Sequence, residues 1–472
     1  MQKWQLTLGL STVALAAAFL APRLAGIGAP PASPPPATPE TPTETPLAEP
    51  VRSGLLEVTA GLDHEAILRG ATEERFLVIN ISGPDGTGHT FRRPVDMAVV
   101  IDASGSMSAR GKIDYAKRAA KLIASEMNRD DTFSLIAFND EATTVISGAS
   151  ISDDPSLIHR QIDRIYEGGG TNLFEGMARG ASEVERVLDS EAVGRVVILS
   201  DGHANVGVTD VDSLTRYAAT IAAKGVAVST VGLGLDYNED LLADMADISG
   251  GTYDFVDNPR ELEGVFADEL NRTASLVARD TSVTVQLPDG VELLEVIGRK
   301  AESSGRGLTI PLGNVYAGET QKIIARVRVQ TSTQADELML ASVRADYFDI
   351  VDNVDGVTQA EAKVRVTDNA AVVASSVHRK RAVDANSAYG NWYLDESTRA
   401  YASGDIASSQ ALLRQGSTVL NTASRQLDAP ELADEADDLN RQEVLYDAYT
   451  PSSDEGKRAI KGGKETFRGR AR

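Results

Sequence analysis

The sequence predicts an α/β domain, a doubly wound and mostly parallel (Rossmann-like) sheet, inserted in an antiparallel β-sandwich and followed by a C-terminal α-helical region. Three observations carry this. From about Pro94 to Thr273, apolar runs alternate with helical stretches, the rhythm of a parallel sheet built by crossovers. Two groups of strand-like runs flank that region, neither sufficient for a core of its own. Beyond Asn369 the apolar spacing becomes helical.

The 472 residues are too many for one ordinary domain, and at 42% hydrophobic there is ample core material. A formal charge of −23 argues against nucleic acid as the main partner, because phosphate binding needs clustered Lys and Arg. With no cysteine, disulfides, thiol catalysis, thiolate metal sites and a lipid-modified Cys are excluded.

Lys3 and Trp4 precede an apolar stretch from about Leu6 to Ala21, so residues 1–29 are expected to be a signal peptide or an N-terminal membrane anchor. The stretch is short of the ~20 residues that span a bilayer comfortably. Export is expected either way, to a periplasmic, membrane-anchored or cell-surface location. Residues 30–53 hold nine of the 18 prolines and read as an extended spacer.

Residues 54–93 are assigned to the first part of the sandwich, with strands at Leu55–Thr59 and Arg75–Ile81. Residues 276–368 supply the second part through TSVTVQL, VELLEVIG, KIIARVRV, LMLASVRA and EAKVRV. In KIIARVRV, Ile323, Ala325, Val327 and Val329 share one face while Arg326 and Arg328 face the other, the pattern of a half-buried antiparallel strand. Between these parts, residues 94–275 carry strands at Met97–Ile101, Phe133–Phe138, Thr143–Ile146, Val196–Leu199, Val226–Val231 and Tyr253–Val256. Their helices are expected at Ile113–Met127, Leu173–Leu188, Val211–Ala223, Glu239–Ile248 and from Glu261. Ligands then belong at the carboxyl ends of the strands.

Residues 369–450 are expected to be helical, at Ala370–Tyr389, Leu394–Ala402 and Ile406–Leu420, the last two forming one helix-turn-helix unit. Residues 451–472 are basic and read as a solvated tail. Asp130-Asp131 and Asp153-Asp154 read as solvated turn charges.

The chemistry concentrates where the strand at Met97 ends. Asp102 closes the apolar run, and Ser104, Gly105 and Ser106 follow, placing hard oxygen ligands at the sheet edge. Two further strand-edge segments add to it: Thr171 after the glycines 168–170, and Asp201 after Val196–Leu199. DASGSM, GGGTNL and ILSDG, in this order and at these gaps, resemble the metal-ion-dependent adhesion site (MIDAS) of the von Willebrand factor A (VWA) family. The resemblance covers roughly residues 95–272. It implies that Ser104 and Ser106 contact a divalent ion, Mg²⁺ with Mn²⁺ or Ca²⁺ as alternatives. It further implies that Thr171 binds directly or through water and that Asp102 and Asp201 lie mostly behind water. The same resemblance implies that an Asp or Glu carboxylate of a protein partner fills the open position.

Binding rather than turnover follows, and no residue is assigned to catalysis. Five residues separate Gly105 from Gly111, one too many for a phosphate-binding loop, and Ile113 stands where such a loop needs Ser or Thr. His203 lies near Asp201, but no G-x-S-x-G elbow supplies a nucleophile. No second acid follows Asp102 at two residues. The expected function is metal-dependent protein-protein interaction, in adhesion or assembly, at the cell envelope; that the chain is a bacterial exported protein is what the resemblance implies. Two alternatives stand beside it: an assembly factor acting with a separate AAA-type ATPase, and a structural envelope protein whose metal site is unused. The last helix of the α/β domain runs straight into the sandwich strand at Thr281, so movement of one is expected to affect the other.

Overall fold

The computed structural model describes residues 54–85, 92–150, 155–305, 307–331 and 334–471. The stretches expected to be an export signal or anchor and a proline-rich spacer, and Asp153-Asp154, lie outside the described residues. Among the described residues, no helix is long and apolar enough to cross a membrane.

The chain opens with β1 (Glu57–Leu62), β2 (Ala66–Leu68) and β3 (Thr72–Ser82). The α/β domain follows as β4 (Val95–Asp102), α1 (Lys112–Glu126), β5 (Thr132–Phe138), β6 (Ala142–Ser150), α2 (Pro155–Ile162) and α3 (Leu173–Val187). It continues through β7 (Val193–Ser200), α4 (Val211–Ala222), β8 (Val226–Leu233), α5 (Glu239–Ser249), β9 (Tyr253–Val256) and α6 (Leu262–Ala274). The chain then returns to strands: β10 (Leu276–Gln286), β11 (Val291–Ile297), β12 (Glu302–Ser304), β13 (Gly307–Tyr316), β14 (Thr320–Gln330), β15 (Glu337–Asp349) and β16 (Val354–Thr367). Five helices close it, α7 (Ala370–Ser375), α8 (Arg379–Ala402), α9 (Ile406–Leu427), α10 (Pro430–Ala448) and α11 (Asp454–Ala471).

The central sheet has the order β6-β5-β4-β7-β8-β9, and every pairing is parallel except β5 with β6. Every residue of β4, β7 and β8 is buried, as near-continuous apolar runs require when helices cover both faces. One face packs Val99, Ile101 and Leu199 under Ile113, Ile123 and Phe266 of α1 and α6. The other packs Val100, Val196 and Ile198 under Met177, Leu214 and Met245 of α3, α4 and α5. Burial of each such side chain contributes about 1.5–3 kcal/mol. These two layers hold the carboxyl ends of β4 and β7 side by side, and that edge is where the site forms.

The flanking strands make one sandwich. β3 pairs antiparallel with β14 from Thr72–Gln330 to Ser82–Thr320, across the whole inserted domain. The sheets β1-β3-β14-β11 and β12-β13-β10-β15-β16-β2 enclose a shared core. Ile323, Ala325, Val327 and Val329 point into it, while Arg326 and Arg328 turn outward to Glu74, Glu292 and Glu295. β13 escapes sequence reading because Pro311 and Gly313 interrupt its run. Proline is tolerated there because β12 pairs only with residues 307–309, so Pro311 lies on an effective edge.

Three expectations need correction. Asp131 is not a solvated turn charge: it is buried, accepts the Val95 and Asn128 N–H groups at 2.9 and 2.6 Å, and pairs with Arg92, fastening the entry of β4. The helix expected over Ala370–Tyr389 is broken between Ser375 and Arg379, where the His378 side chain caps α8 by accepting the Arg381 N–H. α8 then runs unbroken through Gly390, whose missing side chain leaves room for Leu420 of α9. The basic stretch 451–472 is not a solvated tail. Its residues 454–471 form α11, wedged between the bundle and the α/β domain: Asn391 and Gln442 donate to the Phe467 and Ala459 carbonyls, and Lys461 sits 3.6 Å from the centre of the Tyr237 ring.

Candidate metal centre

Asp102, Ser104, Ser106, Thr171 and Asp201 come together at the carboxyl edge of β4 and β7. Asp102 ends β4 and is fully buried. The Ser104 N–H donates to its Oδ1 at 2.8 Å and the Ser200 hydroxyl to its Oδ2 at 2.6 Å. Burial pushes the Asp102 carboxyl above its usual range, hydrogen bonds from Ser200 and Ser104 work against that rise, and the charge of Asp201 adds to it.

Beyond Ser104 the chain tightens into a 3-10 turn that starts at Gly105 and ends at a kink at Ala109 and Arg110, and this turn carries the second hydroxyl back toward the first. Ser104 Oγ and Ser106 Oγ lie 2.9 Å apart. Ser106 donates to Asp201 Oδ1 at 2.6 Å, so its single proton is committed and Ser104 is the donor in the serine pair. The second Asp201 oxygen accepts Lys112 Nζ at 2.6 Å. Asp201 is itself buried.

Thr171 arrives on the third loop, which is tied to the first: the Gly105 N–H donates to the Gly169 carbonyl at 3.1 Å, and the Gly168 N–H to the Ala103 carbonyl at 2.8 Å. Gly169 has φ +78°, a left-handed conformation that a side chain would strain and that Asp140 would obstruct. Asn205 holds Thr171 from the other side, accepting its N–H at 2.8 Å and donating to its carbonyl at 3.1 Å. Thr171 Oγ1 and Ser106 Oγ lie 3.7 and 3.8 Å from the point where a side chain on Gly202 would start, so both hydroxyls face one small space that glycine keeps open.

Sequence reading missed Ser200, Lys112 and Asn205, the groups that hold Asp102, Asp201 and Thr171 in place. Ser200 was within reach, since it stands in the same ILSDG motif as Asp201. Lys112 and Asn205 carry no local signal. His203 is exposed and takes no part in these contacts.

The residues fit a small divalent cation. Among the described residues, no group of three or more Asp, Glu or His side chains is placed to hold a metal, so an ion would draw on hydroxyl oxygens. A buried carboxyl that holds its charge at a penalty, two touching serine hydroxyls and a third facing the same opening form a hard-oxygen donor set, suited to Mg²⁺, Mn²⁺ or Ca²⁺. Beside it lies a groove of about 450 Å³, lined by Ala103, Phe138, Asn139, Glu141, Arg164 and Tyr166, the last 76% exposed.

Comparison with known proteins places this geometry. Residues 96–268 match the von Willebrand factor type A domain family. The chain is 24% identical over 192 residues to the uncharacterized protein YfbK of Escherichia coli, covering 40% of this chain and 33% of that one. It is 27% identical to inter-alpha-trypsin inhibitor heavy chain H4 of Sus scrofa over 194 residues, 39% of this chain and 21% of that one. The chain thus spans a third or less of both relatives. Among solved structures, a von Willebrand factor type A protein from Catenulispora acidiphila shares the fold with a TM-score of 0.60 at 17% identity, over 83% of this chain and 96% of that one. The sheet, the order of its ligand-edge motifs and the family match agree: this chain contains a von Willebrand factor type A domain, over residues 96–268.

Proposed function

We propose that the chain is a divalent-cation-dependent protein-binding module that is exported and works at the cell envelope, in adhesion or assembly, without catalysing a reaction. The observation that carries this reading is the convergence of three loops on one opening, with Ser104, Ser106 and Thr171 in front and the buried Asp102 and Asp201 behind them. Ser104, Ser106 and Thr171 would hold Mg²⁺, Mn²⁺ or Ca²⁺, while Asp102 and Asp201 fix the hydroxyls from behind. The ion would supply an electrophilic position for a carboxylate of the partner protein. Neighbouring partner residues would have the groove lined by Arg164 and Tyr166 to enter. Kinship with an inter-alpha-trypsin inhibitor heavy chain and with the VWA family supports protein interaction as the mode of action.

Affinity capture from envelope extract tests the reading. Proteins retained by the wild type in Mg²⁺ are expected to be lost with a chelator and, independently, with Ser104→Ala. Capture indifferent to both treatments contradicts a metal-dependent interface.

A further inference from the structure

Lys112 stands where helix physics disfavours it. It is the first residue of α1, at the positive end of the helix dipole, where acidic side chains are the favoured neighbours. The backbone is bent to deliver it: Arg110 and Gly111 are consecutive left-handed residues, with φ of 54° and 67°. A non-glycine residue in that region is strained and persists only where the surroundings enforce it. The side chain turns back from the helix across the edge of the sheet, past Gly234. A Cβ there would lie 3.6 Å from Nζ, in contact with the ammonium. The ammonium ends 2.6 Å from Asp201 Oδ2, on the carboxylate whose other oxygen takes the Ser106 proton. The Lys112 side chain is 16% exposed and that of Asp201 fully buried, so solvent screens this pair weakly.

These charges set how the site responds to a cation. Asp102 and Asp201 bring two negative charges and Lys112 one positive, leaving a single net negative charge for a divalent ion to meet. Once filled, the site carries a net positive charge in a largely buried setting, and one carboxylate from a partner returns it to neutrality. Without Lys112, the ion alone would neutralise the two aspartates, and a partner's carboxylate would bring a surplus negative charge. Resting on the metal-dependent reading above, we propose that Lys112 is a positioning residue whose fixed charge weakens binding of the divalent ion alone and couples that binding to an acidic ligand. Metal and carboxylate then each raise the affinity for the other by the same factor.

The test is a Mn²⁺ titration of the chelator-treated full chain, followed by the resonance of free Mn²⁺, without and with acetate as the carboxylate probe. Wild type is expected to bind Mn²⁺ weakly alone and more tightly with acetate. Lys112→Met is expected to bind Mn²⁺ alone at least about tenfold more tightly, because the positive charge that pairs with Asp201 at 2.6 Å, and would oppose a divalent ion, is removed. Its acetate enhancement should shrink to what direct binding of acetate to the ion supplies. Lys112→Arg, which keeps the charge, should retain the wild-type coupling, and Lys112→Gln repeats the Met experiment should that variant fold poorly. Equal Mn²⁺ affinity and equal acetate response in wild type and both uncharged variants would overturn the role of Lys112 while leaving metal binding intact. Absence of Mn²⁺ binding in every form would overturn the metal reading and this proposal with it.

Discussion

Replacing Glu269 with alanine is expected to destabilise the protein by about 3–5 kcal/mol, the loss typical when one member of a buried ion pair is removed. Glu269 of α6 is buried and accepts the Ser229 and Thr252 hydroxyls, each at 2.6 Å. Its Oε1 lies 3.3 Å from Nε of Arg195, which is wholly buried in β7. Arg195 also donates to Ser229, Thr273 and, at 3.1 Å, to the hydroxyl of Tyr316 on β13. The network therefore joins the central sheet, the last helix of the VWA domain and the sandwich. Alanine removes the carboxylate that faces Arg195 and leaves that guanidinium without its counter-charge in the interior. Urea unfolding should show the loss. The double variant Arg195→Met/Glu269→Leu should recover most of it, since an apolar pair of similar volume buries no charge. A change below about 1 kcal/mol for Glu269→Ala would mean that the pair is not buried as described. The same network bears on coupling: α6 leads into β10 after a single residue, and Arg272 stacks 4.3 Å from the centre of the Tyr316 ring and pairs with Glu319. Any shift of α6 has to disturb a sandwich strand.

The second large effect concerns α11. Glu239 opens α5 and is 8% exposed beneath three cations of the last helix, Lys461, Lys464 and Arg468, at 3.6, 3.8 and 3.1 Å. Lys457 reaches Asp236 and Arg458 reaches Asp257, while Arg470 pairs with Asp438 of α10. Burial lowers the pKa of the Lys461 ammonium, and the charge of Glu239 counteracts it. Glu239→Ala removes that support, and about 2–3 kcal/mol of docking free energy should go with it. This is less than for Glu269 because Lys464 and Arg468 still reach solvent. The readout is local: amide exchange over residues 454–471 should speed up while the central strands stay protected. Raising the ionic strength should loosen α11 in the same direction, since Asp236 and Asp240 are mostly exposed. Unchanged exchange in α11 would contradict electrostatic docking.

What could be read from the sequence follows from the range of each interaction. Apolar runs such as VVILS and KIIARVRV declare buried and half-buried strands locally, so the sheet and sandwich were legible. The candidate metal-site residues stand out locally for the same reason: Asp102, Ser104 and Ser106 are packed into five residues, and Thr171 and Asp201 stand in short motifs of their own. α11 was hidden because its few apolar residues resemble a tail, and its partners, Asp236, Glu239 and Asp257, lie some two hundred positions earlier. Asp131 was misread because turn carboxylates usually face water, and nothing near it announces Arg92. Lys112 escaped notice because its reach to Asp201 depends on the left-handed turn at Arg110 and Gly111, which residue types alone do not reveal.

The most direct test of the central claim is a calorimetric titration of the chelated full chain with Mn²⁺, paired with thermal unfolding. One ion should bind per chain and, at about 100 times its dissociation constant, stabilise the fold by ~2.7 kcal/mol. Ser106→Ala and Thr171→Ala should each lose most of that gain, although the residues come from different loops. No binding by the wild type, or undiminished binding by both variants, would contradict a cation shared by the three loops.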